Sequence, residues 1–220
     1  FDNAYWSKTN ITLAVDSTTA PNGTLTADKI QETSITSFFV VSLNPSGSFS
    51  TTYTWSCYAK AAERTLLNVG FTVCGVAGAF NLTTGQTTAT TGSPTMSATS
   101  VGNGWWRCSM TFATPASGSS ILYHLFGPII TPGFGTYTGT AGYGIYVWGA
   151  QLELGSSATA YQPITSSWVA TIPGNHATQT TSTQRPIYGI NPIVGTRNRY
   201  TYTEQLENAV WTRASSSVST

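Results

Sequence analysis

Apolar and polar residues alternate with a period of two along several short runs of this chain. In residues 52–60 the apolar positions share one face, namely Tyr53, Trp55, Cys57 and Ala59. Successive side chains of a β-strand point to opposite faces, so this pattern predicts a half-buried strand. Similar patterns predict strands over 66–73, 105–112, 120–126 and 143–154. Residues 26–32 fit either a strand or one helical turn, and we interpret them as a strand.

The alternation changes phase inside the last of these predicted strands. Ile145 and Val147 are apolar at odd positions, whereas Leu152 and Leu154 are apolar at even positions. One extra residue in a strand shifts the alternation by one, so we predict a β-bulge near Gly149.

Composition excludes a largely helical fold. Only 8% of the residues are charged, against about 25% in a typical soluble domain. A surface helix needs charged residues on its solvent face, whereas the abundant Thr suits strands. Glycine and proline clusters, for example at 44–47 and 102–104, separate the predicted strands. These features predict an all-β antiparallel sandwich or barrel.

Charge and cysteine usage limit the partners and the compartment. The net charge is +1 and the Lys and Arg residues are scattered, so we predict no nucleic-acid partner. No run approaches the roughly 18 apolar residues of a membrane-spanning helix, so we predict no membrane insertion. Cys57, Cys74 and Cys108 lack metal-ligand spacing, and we interpret them as buried free thiols. Free thiols favour assembly in a cytoplasm followed by later release.

The two ends of the chain carry an internal repeat. FDNAYWSK at residues 1–8 returns as LENAVWTR at residues 206–213, with Asn, Ala and Trp identical. We therefore predict a domain at 1–163, an extended connector at 164–200 and the start of a second, truncated repeat at 201–220. Since the chain begins with Phe1, we expect it to be part of a longer polypeptide. We also expect the tail to pack against another subunit or domain, completing an open sheet edge as an added strand.

Six motifs in order resemble a known family. They are FDNAYWSK, TAPNGTLTADKI, TYTWSCYAKAAERT, GNGWWRCSMTF, GIYVWGAQLELGSSATAYQP and TYTEQLENAVWTR. Together they resemble the carbohydrate-binding-type domains repeated in bacteriophage tail-fibre and other virion structural proteins. More remotely, they are similar to the galactose-binding-like jelly rolls of carbohydrate-binding modules attached to bacterial glycanases. The resemblance covers residues 1–163 and the tail, and it implies an antiparallel jelly-roll β-sandwich displayed on a virion as a homo-oligomer, in trimers or stacked arrays.

Outward positions of the predicted strands give a candidate glycan site. Sugar rings present apolar C–H faces and hydroxyl edges, so a glycan site needs aromatic planes beside polar groups. The candidates are Tyr58, Lys60, Trp105, Arg107, His124, Gln151 and Glu153. The alternative is that a loop or a neighbouring subunit covers Trp105 and Arg107, with Arg107 paired to Glu153.

The remaining candidate chemistry is sparse. The resemblance implies an occasional structural calcium, for which Asp28, Glu32 and Glu153 are the plausible carboxylate ligands. His124 and His176 stand alone and predict no metal site. Glycoside hydrolysis needs two facing carboxylates, and we predict no enzyme because no motif supplies such a pair.

Two functions follow as hypotheses. The first is a non-enzymatic virion structural appendage protein, from a tail or head fibre, at the virion surface or outside the cell. Its partners are copies of itself or other virion proteins, and its domain either adsorbs to host-surface glycan or only builds the fibre. The alternative is a carbohydrate-binding module of a secreted bacterial polysaccharide-degrading enzyme.

Overall fold

The computed structural model describes residues 1–118 and 124–162, and these residues form an all-β, antiparallel structure. The strands are β1 (Ser7–Thr9), β2 (Ile11–Thr19), β3 (Leu25–Glu32), β4 (Thr36–Ser37), β5 (Val40–Leu43), β6 (Thr52–Ala61), β7 (Leu66–Phe71), β8 (Val76–Asn81), β9 (Thr87–Thr91), β10 (Thr95–Gly102), β11 (Trp105–Ala113), β12 (His124–Ile129), β13 (Tyr137–Thr138) and β14 (Gly144–Leu154). A 3-10 turn spans Thr72–Cys74. The predicted all-β fold class is confirmed.

The strands form two six-stranded sheets and one short pair. The first sheet has the order β1-β5-β12-β7-β8-β9, and the second has the order β10-β11-β6-β14-β3-β2. The short pair joins β13 to β4. Every strand pair in the described residues is antiparallel.

The main apolar core lies between the two sheets. The second sheet contributes Trp55 and Met110, and the first contributes Phe71 and Phe126, all fully buried. Rings of opposite sheets meet directly, since the centroids of Phe71 and Phe112 are 4.1 Å apart. The inward face predicted for residues 52–60 is confirmed, because its four apolar side chains are all buried in this core.

The predicted strands are present, with adjusted ends. The strand at residues 26–32 is confirmed as β3 rather than a helical turn. The one predicted at 66–73 stops at Phe71, because the chain turns through the 3-10 segment into Gly75 with φ +62°. The one predicted at 120–126 is seen from His124 and continues to Ile129, while 119–123 lie outside the described residues.

The predicted bulge in β14 is confirmed. The pairing of β14 with β6 shifts register between Trp148 and Gln151, and Gly149 has φ +61°. Glycine adopts this left-handed conformation without the Cβ penalty of other residues. The bulge keeps both halves of β14 facing the core, with Val147 and Leu152 buried.

All three cysteines are free, with Cys57 and Cys108 buried as predicted and Cys74 partly exposed. No helix among the described residues has the length and apolarity needed to cross a membrane. The predicted connector at 164–200 and the predicted second repeat at 201–220 lie outside the described residues.

Candidate functional site

The outer face of the second sheet carries a row of large side chains. Strand pairing places Arg107 beside Tyr58, and Tyr58 beside Trp148, across β11, β6 and β14. Their sequence neighbours Cys57 and Cys108 face the core. Because side chains alternate along a strand, this row faces away from the core.

Three partly exposed rings form a contiguous surface, which we call the aromatic platform: Tyr58, Trp148 and Tyr161. The centroids of Tyr58 and Trp148 are 5.3 Å apart, and those of Trp148 and Tyr161 are 4.4 Å apart. The Trp148 indole N–H donates to the Thr26 hydroxyl at 3.1 Å, which fixes the orientation of its ring. The central ring of the platform, Trp148, is therefore held in place before any ligand arrives.

Cationic groups border the aromatic platform. The Arg107 guanidinium carbon lies 5.4 Å from the centroid of Tyr58. Lys60 follows on the same face of β6, opposite Tyr146 of β14. A ligand on the platform would therefore meet aromatic planes and hydrogen-bond donors side by side.

The bulge at Gly149 makes room for the platform. A Cβ atom at this position would lie 3.1 Å from Cδ2 of Tyr161 and 3.3 Å from Cδ2 of Tyr58. These distances are shorter than ordinary van der Waals contact. The absence of a side chain at Gly149 thus lets the two tyrosine rings converge on Trp148.

Residues 155–162, which we call the strap, cross the outer face beside the platform. The Thr159 carbonyl accepts a hydrogen bond from Arg107, and the Thr159 amide and hydroxyl both donate to Glu153. The Gln162 amide donates to the Gln151 side chain at 2.9 Å. These bonds hold the strap on the sheet and bring Tyr161 to Trp148.

The prediction that Trp105 offers an exposed ring is wrong. Its side chain points to the outer face but is only 2% exposed, packed with Ala20 and Ala27. Its indole N–H donates to the Thr19 carbonyl at 3.1 Å. The end of β2 and the strand β3 cover this ring. Both segments are far from Trp105 in the sequence, so the alternation within β11 could not indicate this cover.

The prediction that His124 faces outward is also wrong. His124 is 3% exposed and its ring stacks on Phe71 at 4.6 Å and on Phe126 at 5.2 Å. Phe126 follows two residues later on the same strand, so the two side chains share the inner face. Burial lowers the pKa of His124 to about 3, which keeps the imidazole neutral in the core.

The other predicted residues lie on the outer face, with different accessibility. Tyr58, Lys60 and Arg107 are partly exposed there. Gln151 and Glu153 are buried, because the strap covers them. Thr159 bridges Arg107 and Glu153, in place of the direct ion pair considered as the alternative.

The sequence alone did not single out Trp148, Tyr146 or Tyr161. Tyr146 and Trp148 alternate with the inward Ile145 and Val147, so the same period-two pattern places them outward. That signal was present in the sequence. Tyr161 follows the last strand in an irregular segment, and no periodic pattern marks its position.

The three carboxylates considered for calcium are separate and already engaged. Glu32 accepts two hydrogen bonds from Arg64 and one from Tyr137. Asp28 accepts from the Asp16 amide at 3.0 Å, and Glu153 accepts from Thr159. Within residues 1–118 and 124–162, no group of three His, Cys, Asp or Glu side chains is arranged to hold a metal ion.

Comparison with known proteins gives no family assignment. No protein-family model matches the chain, and no curated protein matches it significantly.

Proposed function

We propose that this chain is a non-enzymatic carbohydrate-binding domain of a virion structural appendage protein, acting at the virion surface or outside the cell. The aromatic platform of Tyr58, Trp148 and Tyr161 carries the proposal. Its ligand is a host-surface glycan, and its partners are copies of itself or other virion proteins. The resemblance of the six sequence motifs supports the virion assignment.

The chemistry of the platform suits a sugar ring. The apolar C–H face of a pyranose packs on an aromatic plane, while its hydroxyl groups need hydrogen-bond partners at the edge. Arg107 and Lys60 carry hydrogen-bond donors and lie beside Tyr58 on the same face of the sheet. Since Trp148 is already fixed by its bond to Thr26, little side-chain entropy is lost on binding.

The engagement of the carboxylates supports binding rather than hydrolysis. A glycosidase needs two carboxyl groups facing each other across the scissile bond. Glu32 is buried against Arg64, and Glu153 is buried beneath the strap. Glu63 is exposed but pairs with Lys29 and accepts from the Gly144 amide.

The strand order supports the finer proposal that the two sheets form a jelly roll. The chain passes repeatedly from one sheet to the other, so that β5, β7 and β12 lie in the first while β6, β11 and β14 lie in the second. In a jelly roll, successive strands along the chain alternate between two antiparallel sheets.

A glycan array followed by titration calorimetry tests the proposal. We expect Trp148→Ala and Tyr161→Ala to weaken binding of the selected glycan by about 10-fold or more, since each removes a stacking plane. Phe49→Ala is the matched control, because this ring is 40% exposed but lies outside the platform. If Trp148→Ala, Tyr161→Ala and Phe49→Ala all bound the glycan with wild-type affinity, the platform would not be the glycan-binding site. Selective binding of plant or microbial structural polysaccharides would favour the secreted-enzyme module instead.

A further inference from the structure

Charged side chains near the aromatic platform are balanced in pairs, with one exception. The Lys29 ammonium lies 2.8 Å from a carboxylate oxygen of Glu63. Arg107 and Glu153 are bridged through Thr159, whose carbonyl accepts from Arg107 and whose amide donates to Glu153 at 3.0 Å. The two positive and two negative charges of these side chains therefore offset one another.

Lys60 is the side chain without a partner. Within residues 1–118 and 124–162, no hydrogen-bond acceptor and no carboxylate lies within bonding distance of its ammonium. Every other lysine and arginine in these ranges has at least one acceptor, namely Lys8, Lys29, Arg64 and Arg107. The Lys60 ammonium is therefore a positive charge that the described residues leave uncompensated.

The surroundings of Lys60 are aromatic, and the residue is only partly exposed. Strand pairing places Trp105 of β11 on one side of it and Tyr146 of β14 on the other. Its stem lies against the turn before β11, since a Cβ atom at Gly104 would lie 3.4 Å from Cε of Lys60. Salt screens a partly buried ion pair less than an exposed one. An anion bound at Lys60 would therefore be held more strongly than at a fully exposed lysine.

Lys60 also lies beside the aromatic platform. Tyr58 precedes it by two residues on the same face of β6, so their Cα atoms are about 7 Å apart. Across the strands, the Arg107 guanidinium carbon lies 5.4 Å from the centroid of Tyr58. The Lys60 ammonium stands on a flexible four-carbon stem. A sugar residue stacked on Tyr58, or the next residue of the same glycan, is therefore within its reach.

The other acids of the second sheet do not supply the missing partner. Asp28 is buried and accepts from the Asp16 amide, and Glu32 is buried against Arg64. Asp16 itself belongs to β2, the third strand from β6 in the sheet order. At the usual strand spacing this separation is about 14 Å, which exceeds the Debye length of about 8 Å at physiological ionic strength. The positive charge at Lys60 therefore acts on whatever occupies the platform.

We propose that the aromatic platform selects acidic sugars, and that Lys60 pairs with their anionic substituent, a carboxylate or a sulfate. This inference rests on the proposed glycan function and names its substrate class. An ammonium forms a charge-assisted hydrogen bond with an anion, which is about twice as strong as its bond to a neutral hydroxyl. One uncompensated cation matches one anionic group, whereas a nucleic acid carries a charge on every nucleotide and needs a basic stripe.

Matched pairs of oligosaccharides, which differ only in the anionic group, test the inference. The pairs are trigalacturonate and its methyl ester, sialyllactose and its methyl ester, and sulfated lactose and lactose. In titration calorimetry at an ionic strength of about 0.05 M, we expect the acidic member of at least one pair to bind about 10-fold more tightly. The preferred pair distinguishes a carboxylate ligand from a sulfate ligand. Raising the salt concentration to about 0.5 M should reduce the preference.

Variants of Lys60 locate the source of the preference. Lys60→Gln should weaken binding of the acidic member about 10-fold, because glutamine has no charge. Lys60→Arg should keep the preference. Lys8→Gln is the matched control, because it removes the same charge from β1 in the first sheet and should bind as the wild type does. An unchanged preference in Lys60→Gln, or an equal loss in Lys8→Gln, would overturn the assignment to Lys60.

The outcomes separate this inference from the proposed function. If the neutral and acidic members bound equally, and Trp148→Ala weakened both, the platform would be a glycan site without selection for acidic sugars. That result would overturn the inference and leave the proposed function in place. If the wild type bound no member of any pair, both would be contradicted.

Discussion

Arg64 and Glu32 form a two-point ion pair at the end of β3: Nε of Arg64 lies 2.6 Å from Oε1 of Glu32, and Nη2 lies 2.7 Å from Oε2. Glu32 is 1% exposed and also accepts from the Tyr137 hydroxyl at 2.5 Å and the Thr140 amide at 2.9 Å. The carboxylate thus ties together the segments that carry Arg64 and Tyr137.

These partners set the ionisation of Glu32. Burial by itself raises the pKa of a carboxyl, but the hydrogen bonds from Arg64, Tyr137 and Thr140 outweigh it and hold the pKa of Glu32 below its ordinary 4.5. A folded pKa below the unfolded value stabilises the fold at pH above 4.5. That contribution is lost as the pH falls through the lowered folded pKa.

Removing Arg64 should strongly destabilise the domain. Arg64→Met leaves Glu32 charged, buried and without its two guanidinium hydrogen bonds. We expect a loss of about 3–5 kcal/mol in the free energy of unfolding at pH 7, measured by urea denaturation. Lys29→Met is the control, because it breaks the pair with the exposed Glu63 and a bond to the Gly142 carbonyl without leaving a buried charge, so it should cost less, about 1–2 kcal/mol. Similar losses in both variants would contradict the role given to Glu32.

His124 should make the fold sensitive to moderate acid. Its folded pKa of about 3 lies below the ordinary 6.5, so the unfolded chain takes up a proton first as the pH falls. The stability is therefore complete above pH 6.5 and decreases from there toward pH 3. Between pH 8 and pH 5 we expect this residue to cost the wild type about 2 kcal/mol, as the linkage of proton binding to folding requires.

The variant His124→Phe isolates that effect. Phenylalanine cannot titrate, so its overpacking cost, about 1–3 kcal/mol, is the same at every pH. The free energy of unfolding, measured for both proteins from pH 8 to pH 5, should fall less steeply for His124→Phe. Parallel pH profiles would show that folding does not lower the pKa of His124, and would contradict its neutral burial in the core.

Local alternation predicts the faces of the central strands well. Cys57, Cys108 and Met110 lie on the inner face as the period of two requires, because the two sheets must bury one face each. The bulge was also predictable, since the phase change between Val147 and Leu152 allows few other solutions. These features depend only on neighbours within one strand.

Accessibility of the outer face could not be predicted in the same way. Trp105 and Arg107 alternate identically in sequence, yet β2 and β3 cover Trp105 while Arg107 stays partly exposed. The covering residues are more than 70 positions away in the chain, as the bond from Trp105 to Thr19 shows. His124 shares the inner face with Phe126, and as a neutral imidazole it packs among aromatic rings in the core.

The substitution Gly149→Ala should disturb the packing of the aromatic platform without removing any of its rings. Gly149→Ala places a methyl group 3.1 Å from Tyr161 and 3.3 Å from Tyr58 on a backbone with φ +61°. We expect a loss of about 1–2 kcal/mol in the free energy of unfolding from the left-handed backbone. We also expect displaced ring resonances of both tyrosines in NMR spectra, together with weaker glycan binding.

Gly102→Ala separates the backbone effect from the steric one. Gly102 has φ +90°, but a Cβ atom there would meet nothing within 4 Å. The Gly102→Ala variant should lose a similar amount of stability, because an alanine in a left-handed backbone has the same kind of conformational cost. Its Tyr58 and Tyr161 resonances and its glycan affinity should stay at wild-type values. If Gly102→Ala weakened glycan binding as much as Gly149→Ala, the effect would come from general destabilisation. If Gly149→Ala left the resonances of Tyr58 and Tyr161 in place, the glycine would not be what lets the two rings converge on Trp148.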